Sequence, residues 1–570
     1  MTESPAAPPE RRSTEGARAW LRAGMVSFAT ALAILAPFFW LGTASGHDIS
    51  FHISSWFDAA AQWKEGILFP RWTEWANYGF GEPRFIFYPP LSWMLGAALG
   101  SVFPWTWVPP LFVLVVQTFA GISAFGLLRR TAGTFRTALF GAVAYAANPY
   151  ALLVIYFRSD LAELLATSFL PLLFLAGLRL SGTLDGGPPT RKSILQFAIL
   201  FAAVWLSNAP AGVLASYTLA LLFFWAAATQ KKLQPVLRGA LGLALGLGLA
   251  SFYLVPAAYE QRWVNITGAL SAGLTPRENF LFAATADAEH DAFNRIASCV
   301  ALLLIGGIAA AGLLVWKKRK TAERPESAER AVQTMLVLAV AAGAMMLPLT
   351  NIFWTILPKL RFVQFPWRLM MILAVVFAFL ISSAARRAFA LSSIVVVLLF
   401  TLTGAYLVKH AWWDAEDVST VKEAMDKKAG FEGTDEYDPL GDDRTDVPQT
   451  QPEAKGIAEK TDSELAHKPE FQILRWTAED RIVIVHSAGP ARIRLRLLHY
   501  PAWLVTVNGA PTSTQRTVSY DAIVVAVPSG ESRIEARFTR TVDRTIGGCI
   551  SVLSALAGAF LMWPRNLRQA

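Results

Sequence analysis

An acidic residue and two histidines, Asp48, His47 and His52, follow directly after the first strongly apolar segment of the chain. A carboxylate so close to a membrane helix is costly unless it lies at a water-filled surface. Asp48 and His52 would share one face of a helix that begins near Asp48. Together they could hold a divalent ion such as Mg²⁺ or Mn²⁺, or Asp48 could act as a general base that His52 orients. The structural alternative is that Asp48 is a helix N-cap and the histidines lie at the membrane surface.

A second group of charged residues, Arg158, Asp160 and Glu163, stands just before and within another apolar segment. Asp160 and Glu163 are three positions apart, so a helix would place them on one face, and Asp160 also suits a helix start. The group predicts an acidic site beside an arginine at a helix end. The alternative is a capped helix with a solvated pair of Arg158 and Glu163.

A third group, Arg361, Gln364 and Arg368, lies among aromatic residues before a later apolar segment. Guanidinium groups bind phosphate or pyrophosphate through paired hydrogen bonds, so this group is a candidate for the head group of a lipid. The alternative is that the two arginines extend to the membrane surface from an aromatic belt.

The elements that must position these residues are membrane helices. The chain has 570 residues, of which 54% are hydrophobic and 16% charged, and its mean hydropathy is +0.39, which indicates a polytopic membrane protein. The net charge of +9 is spread through short loops and forms no single basic face, so we expect no nucleic-acid partner. The partner expected from composition is the lipid bilayer.

About twelve segments are apolar and long enough to span a bilayer. They lie near residues 21–42, 109–128, 134–150, 161–179, 194–206, 210–229, 238–257, 296–316, 331–349, 367–384, 389–408 and 544–563. The short apolar segment 91–103 is enclosed by prolines, and we expect it to lie in the membrane surface without crossing. The basic loops and the N-terminus then fall on the cytoplasmic side. The three charged groups and residues 409–543 fall on the outer side.

The chain therefore predicts a polytopic α-helical protein with a small β-sandwich before the last helix. Residues 1–20 are expected to form a disordered cytoplasmic tail, 21–408 a transmembrane domain with an outer loop at 43–108, and 409–468 an acidic linker. Residues 469–543 alternate between apolar and polar positions and contain turn signals such as Asn508-Gly509, which predicts the β-sandwich. A final helix is expected at 544–563.

Several motifs resemble the GT-C superfamily of integral-membrane glycosyltransferases. They include Gly46-His47-Asp48, Phe69-Pro70-Arg71-Trp72, Phe87-Tyr88-Pro89-Pro90-Leu91, Arg158 to Glu163 and Gln364-Phe365-Pro366-Trp367-Arg368. Within that superfamily they look like the bacterial YfhO-like group, often described as a 6-pyruvoyl-tetrahydropterin synthase-related membrane domain. Three positions depart from the family pattern. Asn208 stands where a histidine is expected, and Ala502 and Asn508 differ in the terminal β-domain.

The resemblance implies an enzyme of the bacterial inner membrane that moves a sugar from a polyprenyl-phosphate donor to an extracytoplasmic glycan or other envelope acceptor. It implies Asp48 as the catalytic base, with Glu163 or Asp160 supporting the acceptor or an ion. Arg361 or Arg368 would offset the charge of the leaving phosphate. His47, His52, Arg71, Tyr88, Arg158 and Gln364 complete the expected substrate-binding set, and Asp48 with His52 is the candidate metal pair.

Two other functions stay open at this point. One is a non-catalytic flippase or transporter of a lipid-linked glycan, which predicts essential charges buried midway along membrane helices. The other is an assembly protein for envelope polymers, in which the β-domain is the working part. The chain contains no P-loop and no Gly-x-Ser-x-Gly sequence, so ATP-driven transport and serine hydrolysis have no support.

Overall fold

The helical bundle and the β-sandwich expected from the sequence are both present. The computed structural model describes residues 9–131, 134–184, 189–319, 326–384, 389–414, 416–439, 447–458 and 468–562. A mostly helical region is followed by two small antiparallel sheets and one last apolar helix. The predicted fold class is therefore confirmed.

Twenty-one α-helices form within the described residues. They are α1 Pro9–Leu35, α2 Phe38–Leu41, α3 Ile49–Lys64, α4 Ala76–Gly79, α5 Arg84–Phe87, α6 Pro90–Val102, α7 Val108–Thr131, α8 Phe135–Ala146, α9 Pro149–Leu153, α10 Leu161–Leu180, α11 Arg191–Ser207, α12 Ala209–Gln230, α13 Gln234–Leu249, α14 Ser251–Glu260, α15 Ala288–Arg319, α16 Glu326–Met345, α17 Asn351–Ile356, α18 Met370–Ala384, α19 Phe389–His410, α20 Asp417–Asp426 and α21 Val542–Met562.

Ten helices among the described residues are long and apolar enough to cross a membrane, or eleven if α13 and α14 form one span bent by 75°. The sequence predicted about twelve. The difference is the segment predicted at 194–206, where α11 has 17 residues, at the lower limit of the length that spans a bilayer. Helix α6 has 13 residues. It covers about 20 Å of a hydrocarbon layer about 30 Å thick, so it is too short to cross on its own.

Two antiparallel sheets form the β-sandwich. One sheet has the strand order β3-β6-β10-β9 and the other β4-β5-β11-β7-β8, while β1 and β2 pair separately. The strands are β1 Thr43–Ala44, β2 Trp413–Asp414, β3 Ala454–Ile457, β4 Glu470–Trp476, β5 Asp480–Ser487, β6 Ala491–Leu498, β7 Trp503–Val507, β8 Ala510–Pro511, β9 Gln515–Arg516, β10 Ala522–Val527 and β11 Gly530–Phe538. Strand β3 pairs with β6, so the sandwich begins before the predicted boundary at 469.

The sandwich is not a separate unit held only by the last helix, because it shares its hydrophobic core with the loop at 43–108. Trp72 and Phe80 are fully buried in a cluster with sandwich residues such as Tyr500 and Trp503. The Trp72 ring centroid lies 5.8 Å from that of Tyr500 and 5.4 Å from that of Trp503. A contact between apolar residues far apart in the chain gives no periodic pattern in the local sequence, so the shared core could not be predicted from the sequence.

Two predicted boundaries need correction. Helix α1 begins at Pro9, so the tail predicted as disordered over 1–20 is helical from that residue, and residues 1–8 lie outside the described part. The acidic segment predicted as a linker at 409–468 contains β2, α20 and β3. Strand β2 pairs with β1, and α20 packs against α3. The described parts of this segment therefore belong to the folded structure around the first loop.

Candidate functional site

A cavity of about 920 Å³ lies where the first loop, the ends of several helices and residues 434–437 meet. Seven of the predicted site residues line it, namely His47, Asp48, Tyr88, Arg158, Asp160, Gln364 and Arg368. The three charged groups of the sequence are therefore brought together in one place. His52, Arg71, Glu163 and Arg361 do not line this cavity.

The backbone around Gly46 determines how the first two groups meet. A Cβ atom at Gly46 would lie 2.2 Å from the carbonyl oxygen of Phe157, so only glycine allows this approach. The Gly46 N–H donates to Ser159 Oγ at 3.0 Å, and the Asp48 N–H donates to the Arg158 carbonyl at 3.0 Å. Ser159 itself has a left-handed backbone with a φ of 52°. These contacts place the Asp48 side chain beside Arg158.

Asp48 is held by an arginine and open to the cavity. Arg158 Nη2 donates to Asp48 Oδ2 at 2.7 Å and to Asp160 Oδ2 at 3.3 Å. The Asp48 side chain is 36% exposed. Its other oxygen, Oδ1, accepts no hydrogen bond from the described residues, and Asp48 makes no side-chain cap to α3 although it occupies the N-cap position. The N-cap alternative is therefore wrong, and Asp48, which lines the cavity, keeps an acceptor atom without a hydrogen bond from the described residues.

Asp160 joins two arginines and caps a helix. Its Oδ1 accepts the Glu163 N–H at 2.9 Å at the start of α10, and its Oδ2 accepts from Arg368 Nη2 at 3.1 Å. Burial would raise the pKa of Asp160, but Arg158 and Arg368 outweigh it and hold that pKa below the usual value. The carboxylate is thus kept ionised between two cations. The alternative of a solvated ion pair at this helix end is wrong, because these side chains are buried.

Glu163 lies behind the cavity and not in its wall. It is fully buried, accepts from Arg368 Nε at 2.9 Å, and accepts a hydrogen bond from the Tyr150 hydroxyl. Arg368 Nη1 donates to the Val363 carbonyl at 3.0 Å, so each nitrogen of this guanidinium group has a protein partner. Glu163 does not line the cavity whereas Arg368 does, and the predicted catalytic role of Glu163 and phosphate-binding role of Arg368 stay predictions. Both residues position Asp160.

His52 is buried beneath the cavity and does not form the predicted metal pair with Asp48. Its Nε2 accepts the Leu161 N–H at 3.0 Å, so this lone pair is already in use. Burial lowers the pKa of His52, which agrees with a neutral ring. Asp48 is bound to Arg158, and no group of three His, Cys, Asp or Glu side chains in the described residues is arranged to hold a metal ion. These residues do not fit a divalent ion, and we derive no step through one.

His47 is the second histidine of the first group, and it does reach the cavity. Its ring packs edge-on against Phe293 with centroids 5.5 Å apart. Burial, with the nearby Arg158 charge, lowers the pKa of His47. The ring is therefore a neutral polar group that can exchange hydrogen bonds with a ligand.

Two predicted arginines lie elsewhere. Arg361 is exposed and packs over the Phe362 ring at 4.9 Å. Arg71 packs over the Phe69 ring at 4.1 Å, and its N–H donates to Glu479 Oε1 of the sandwich at 3.2 Å. Burial lowers the pKa of Arg71 to about 10. Neither arginine contributes to the cavity wall, so their predicted roles there are corrected.

Sequence reasoning missed three cavity residues, Lys359, Glu436 and Tyr437. Lys359 Nζ donates to Gln261 Oε1 at 2.9 Å, and both residues line the cavity. Glu436 and Tyr437 belong to the acidic segment that was interpreted as a linker. The signal was present, because Tyr437 is an aromatic residue inside a run of acids, but nothing in the local sequence shows which distant loop it contacts.

The position of Gln364 follows from an unusual backbone. Its φ is 65°, in the left-handed region, and its Nε2 donates to the Ala269 carbonyl at 2.8 Å. This turn precedes Phe365 and Trp367, whose rings cover the Arg158 guanidinium at 4.8 and 5.2 Å. The Arg158 charge is thus shielded on one side by aromatic rings and paired with acids on the other.

A family model for the 6-pyruvoyl-tetrahydropterin synthase-related domain, described as a membrane protein, matches residues 85–411. The matched range contains Tyr88, Arg158, Asp160 and Arg368, whereas Asp48 lies before it and the β-sandwich after it. A search of curated proteins finds no match.

Proposed function

The chain belongs to the 6-pyruvoyl-tetrahydropterin synthase-related domain family of membrane proteins, whose model covers more than half of it, and on that premise we propose that it is a GT-C type glycosyltransferase. It transfers a sugar from a polyprenyl-phosphate donor to an acceptor hydroxyl. The proposed location is the bacterial inner membrane, with the N-terminus in the cytoplasm and the cavity on the extracytoplasmic side.

The observation that carries the proposal is the Asp48 carboxylate, which Arg158 fixes at 2.7 Å and which belongs to a 36% exposed side chain lining the cavity. In the proposed step the acceptor oxygen attacks the anomeric carbon and loses its proton to Asp48. The bond between that carbon and the phosphate oxygen breaks, and the polyprenyl phosphate leaves with the bonding electrons. The single displacement inverts the anomeric centre.

The cavity also suits a donor with an apolar tail. Its lining contains Trp205, Val213 and Leu254, which belong to the apolar helices α11, α12 and α14. Lys359 lies in the same wall, and burial followed by the charge of Arg361 lowers its pKa. In the proposal Lys359 replaces Arg361 and Arg368 as the cation that offsets the leaving phosphate, since Arg368 Nε and Nη2 already donate to acids.

The positions of the buried charges favour an enzyme over a transporter. Arg158 ends one candidate span, and Glu163 and Arg368 lie in the first turn of two others. A transport path through the bilayer predicts charges near the middle of the spans instead. The scaffold alternative treats the sandwich as an independent working part. That alternative loses support because the sandwich shares its core with the loop that carries Asp48.

The test uses full-length protein in lipid nanodiscs, with labelled polyprenyl-phosphate sugars and a panel of glycan acceptors. Asp48→Asn is expected to lower transfer at least about a hundredfold, as the loss of a general base does. The matched control is Glu289→Gln, because Glu289 is an exposed acid outside the cavity wall. Full transfer by Asp48→Asn would exclude the proposed base. Absence of transfer with every donor would overturn the proposed enzymatic function. A parallel assay with added chelator measures metal dependence independently.

A further inference from the structure

Residues 434–437, which we name the strap, form one wall of the cavity through Thr434, Glu436 and Tyr437. The strap follows α20 in the chain and lies far in sequence from every other charged residue of the site. None of the roles proposed above uses it.

The strap is fixed to the first loop by a buried ion pair. Arg84 Nε donates to Glu82 Oε1 at 2.6 Å, and both side chains are almost fully buried. Glu82 Oε2 accepts the Thr434 N–H at 2.8 Å, and Arg84 Nη2 donates to Thr434 Oγ1 at 3.2 Å. A segment held by charged hydrogen bonds on backbone and side chain has a defined position. The strap is therefore a fixed wall.

Aromatic rings continue this wall. The Tyr437 ring stacks on Phe87 with centroids 5.7 Å apart and an angle of 7° between the planes. Phe51 lies 6.4 Å from Tyr437 and 4.6 Å from Tyr88, measured between ring centroids. Rings of this kind offer apolar faces and hydroxyl groups to a ligand in a pocket.

Glu436 is the one charged residue of the strap that lines the cavity. In the part of the chain that the structure describes, no other side chain donates a hydrogen bond to its carboxyl group. Burial and the nearby Glu82 charge raise the pKa of Glu436 to about 7, against the opposing effect of Arg84. Besides the hydrogen bond from its own backbone N–H, the carboxyl group keeps acceptor capacity for a ligand in a partly dehydrated place.

We infer that Glu436 binds hydroxyl groups of the transferred sugar against this aromatic wall and thereby selects neutral sugars over uronic acids. The inference rests on the function proposed above and names its substrate class. At a pH above about 7, where Glu436 is mostly ionised, sugar hydroxyl groups donate to its carboxylate, whereas the carboxylate of a uronic acid would meet a like charge in a place where water screens it poorly. Asp48 adds a further negative charge to the same cavity, and Arg158 is already paired with it.

The experiment measures binding and transfer of two probes that differ at one carbon, short-chain polyprenyl-phosphate glucose and polyprenyl-phosphate glucuronate. The protein is full length in nanodiscs. Wild type is expected to prefer glucose by about tenfold or more, the range of one hydrogen bond to a charged group. Glu436→Gln is expected to reduce that preference to about threefold or less, because it weakens binding of the glucose donor and removes the repulsion of the glucuronate donor. Glu436→Asp keeps the charge and is expected to keep the exclusion of glucuronate.

The matched control is Asp435→Asn, because Asp435 is the neighbouring acid but is exposed and does not line the cavity. It is expected to retain the wild-type preference. Equal use of both probes by wild type would overturn the inference and leave the glycosyltransferase in place. An unchanged preference in Glu436→Gln would overturn the role of this residue. Failure of wild type to bind or transfer either probe would overturn the inference, and failure with every donor of the wider panel would overturn the proposed function as well.

Discussion

Arg158 and Asp48 form an ion pair of 2.7 Å although 110 positions separate them in the sequence. The same Arg158 nitrogen also reaches Asp160 at 3.3 Å, so one guanidinium group orients two carboxylates from two different elements. The two N–H groups of this guanidinium nitrogen have fixed directions in one plane, whereas the three N–H groups of a lysine ammonium rotate freely and do not fix both acids in the same way.

Replacing Arg158 by lysine is therefore expected to lower kcat by about tenfold to a hundredfold, with a small effect on the KM for the lipid donor. The charge remains, but Asp48 loses its fixed orientation toward the acceptor. Steady-state kinetics in nanodiscs measure the two constants. A change confined to KM would show that Arg158 acts on substrate binding and not through Asp48.

Arg368 is expected to matter for stability more than for chemistry. Arg368→Met leaves Asp160 and Glu163 with less compensation in a buried place, which costs about 3–5 kcal/mol for a broken buried ion pair. Adding Glu163→Leu removes the acid that loses its ion-pair partner in Arg368→Met, whereas Asp160 keeps Arg158, so the double variant is expected to recover part of the loss. Apparent Tm values in detergent compare the three proteins. If the double variant is less stable than Arg368→Met, the ion pair is not the source of the effect.

Gly46→Ala is expected to separate the first loop from α10. The new methyl group would lie 2.2 Å from the Phe157 carbonyl oxygen, so backbone must move, at a cost of about 1–3 kcal/mol. Transfer activity is expected to fall with it, because the shift displaces Asp48 from Arg158. Gly489→Ala is the matched control, since a Cβ atom at Gly489 meets nothing within 4 Å. Equal behaviour of the two variants in Tm and activity would contradict this packing.

A buried acid at the junction of the first loop and the sandwich predicts a dependence of stability on pH. Burial raises the pKa of Glu74 to about 8, with Asp58 and Glu65 acting in the same direction and Arg481 and Arg496 opposing them. The folded protein therefore keeps a proton that the unfolded chain releases near pH 4.5. Its stability should fall as the pH rises from that value toward about 8.

Glu74→Gln removes this contribution because glutamine does not titrate. We expect the variant and wild type to have similar Tm values near pH 4.5 and the variant to be the more stable above about pH 8. Thermal unfolding followed by tryptophan fluorescence at a series of pH values across this range measures the Tm of each protein. Glu470→Gln, at an exposed acid of the sandwich, is expected to follow wild type throughout. If the plot of Tm against pH for Glu74→Gln runs parallel to that of wild type, the pKa of Glu74 is not raised by folding.

The membrane helices and most sandwich strands could be predicted from local patterns. Long apolar runs such as that of α7 specify membrane helices on their own, and alternating runs such as that of β5 specify strands. Charged residues at helix ends also marked Asp48, Arg158 and Asp160 as candidates, because ionisable side chains beside apolar runs are rare without a function.

The site itself could be predicted only in part. Asp48, Asp160 and Arg158 were grouped on the same side of the membrane, but the sequence could not show that Glu163 lies behind the cavity while Arg361 points away from it. Which face of a short helix is buried depends on its partners. The strap with Glu436 was missed for the same reason, since its contacts are with residues 82–87, more than 300 positions earlier.

The amino-acid sequence alone determined that this chain is a membrane protein. It also indicated the approximate positions of the membrane helices and the charged residues at their ends. Those properties depend on local hydropathy and spacing. The tertiary structure decided which of the charges meet, that His52 is occupied by a backbone N–H, and that the sandwich and the first loop share one core. Such contacts depend on the packing of distant segments, which no local pattern encodes.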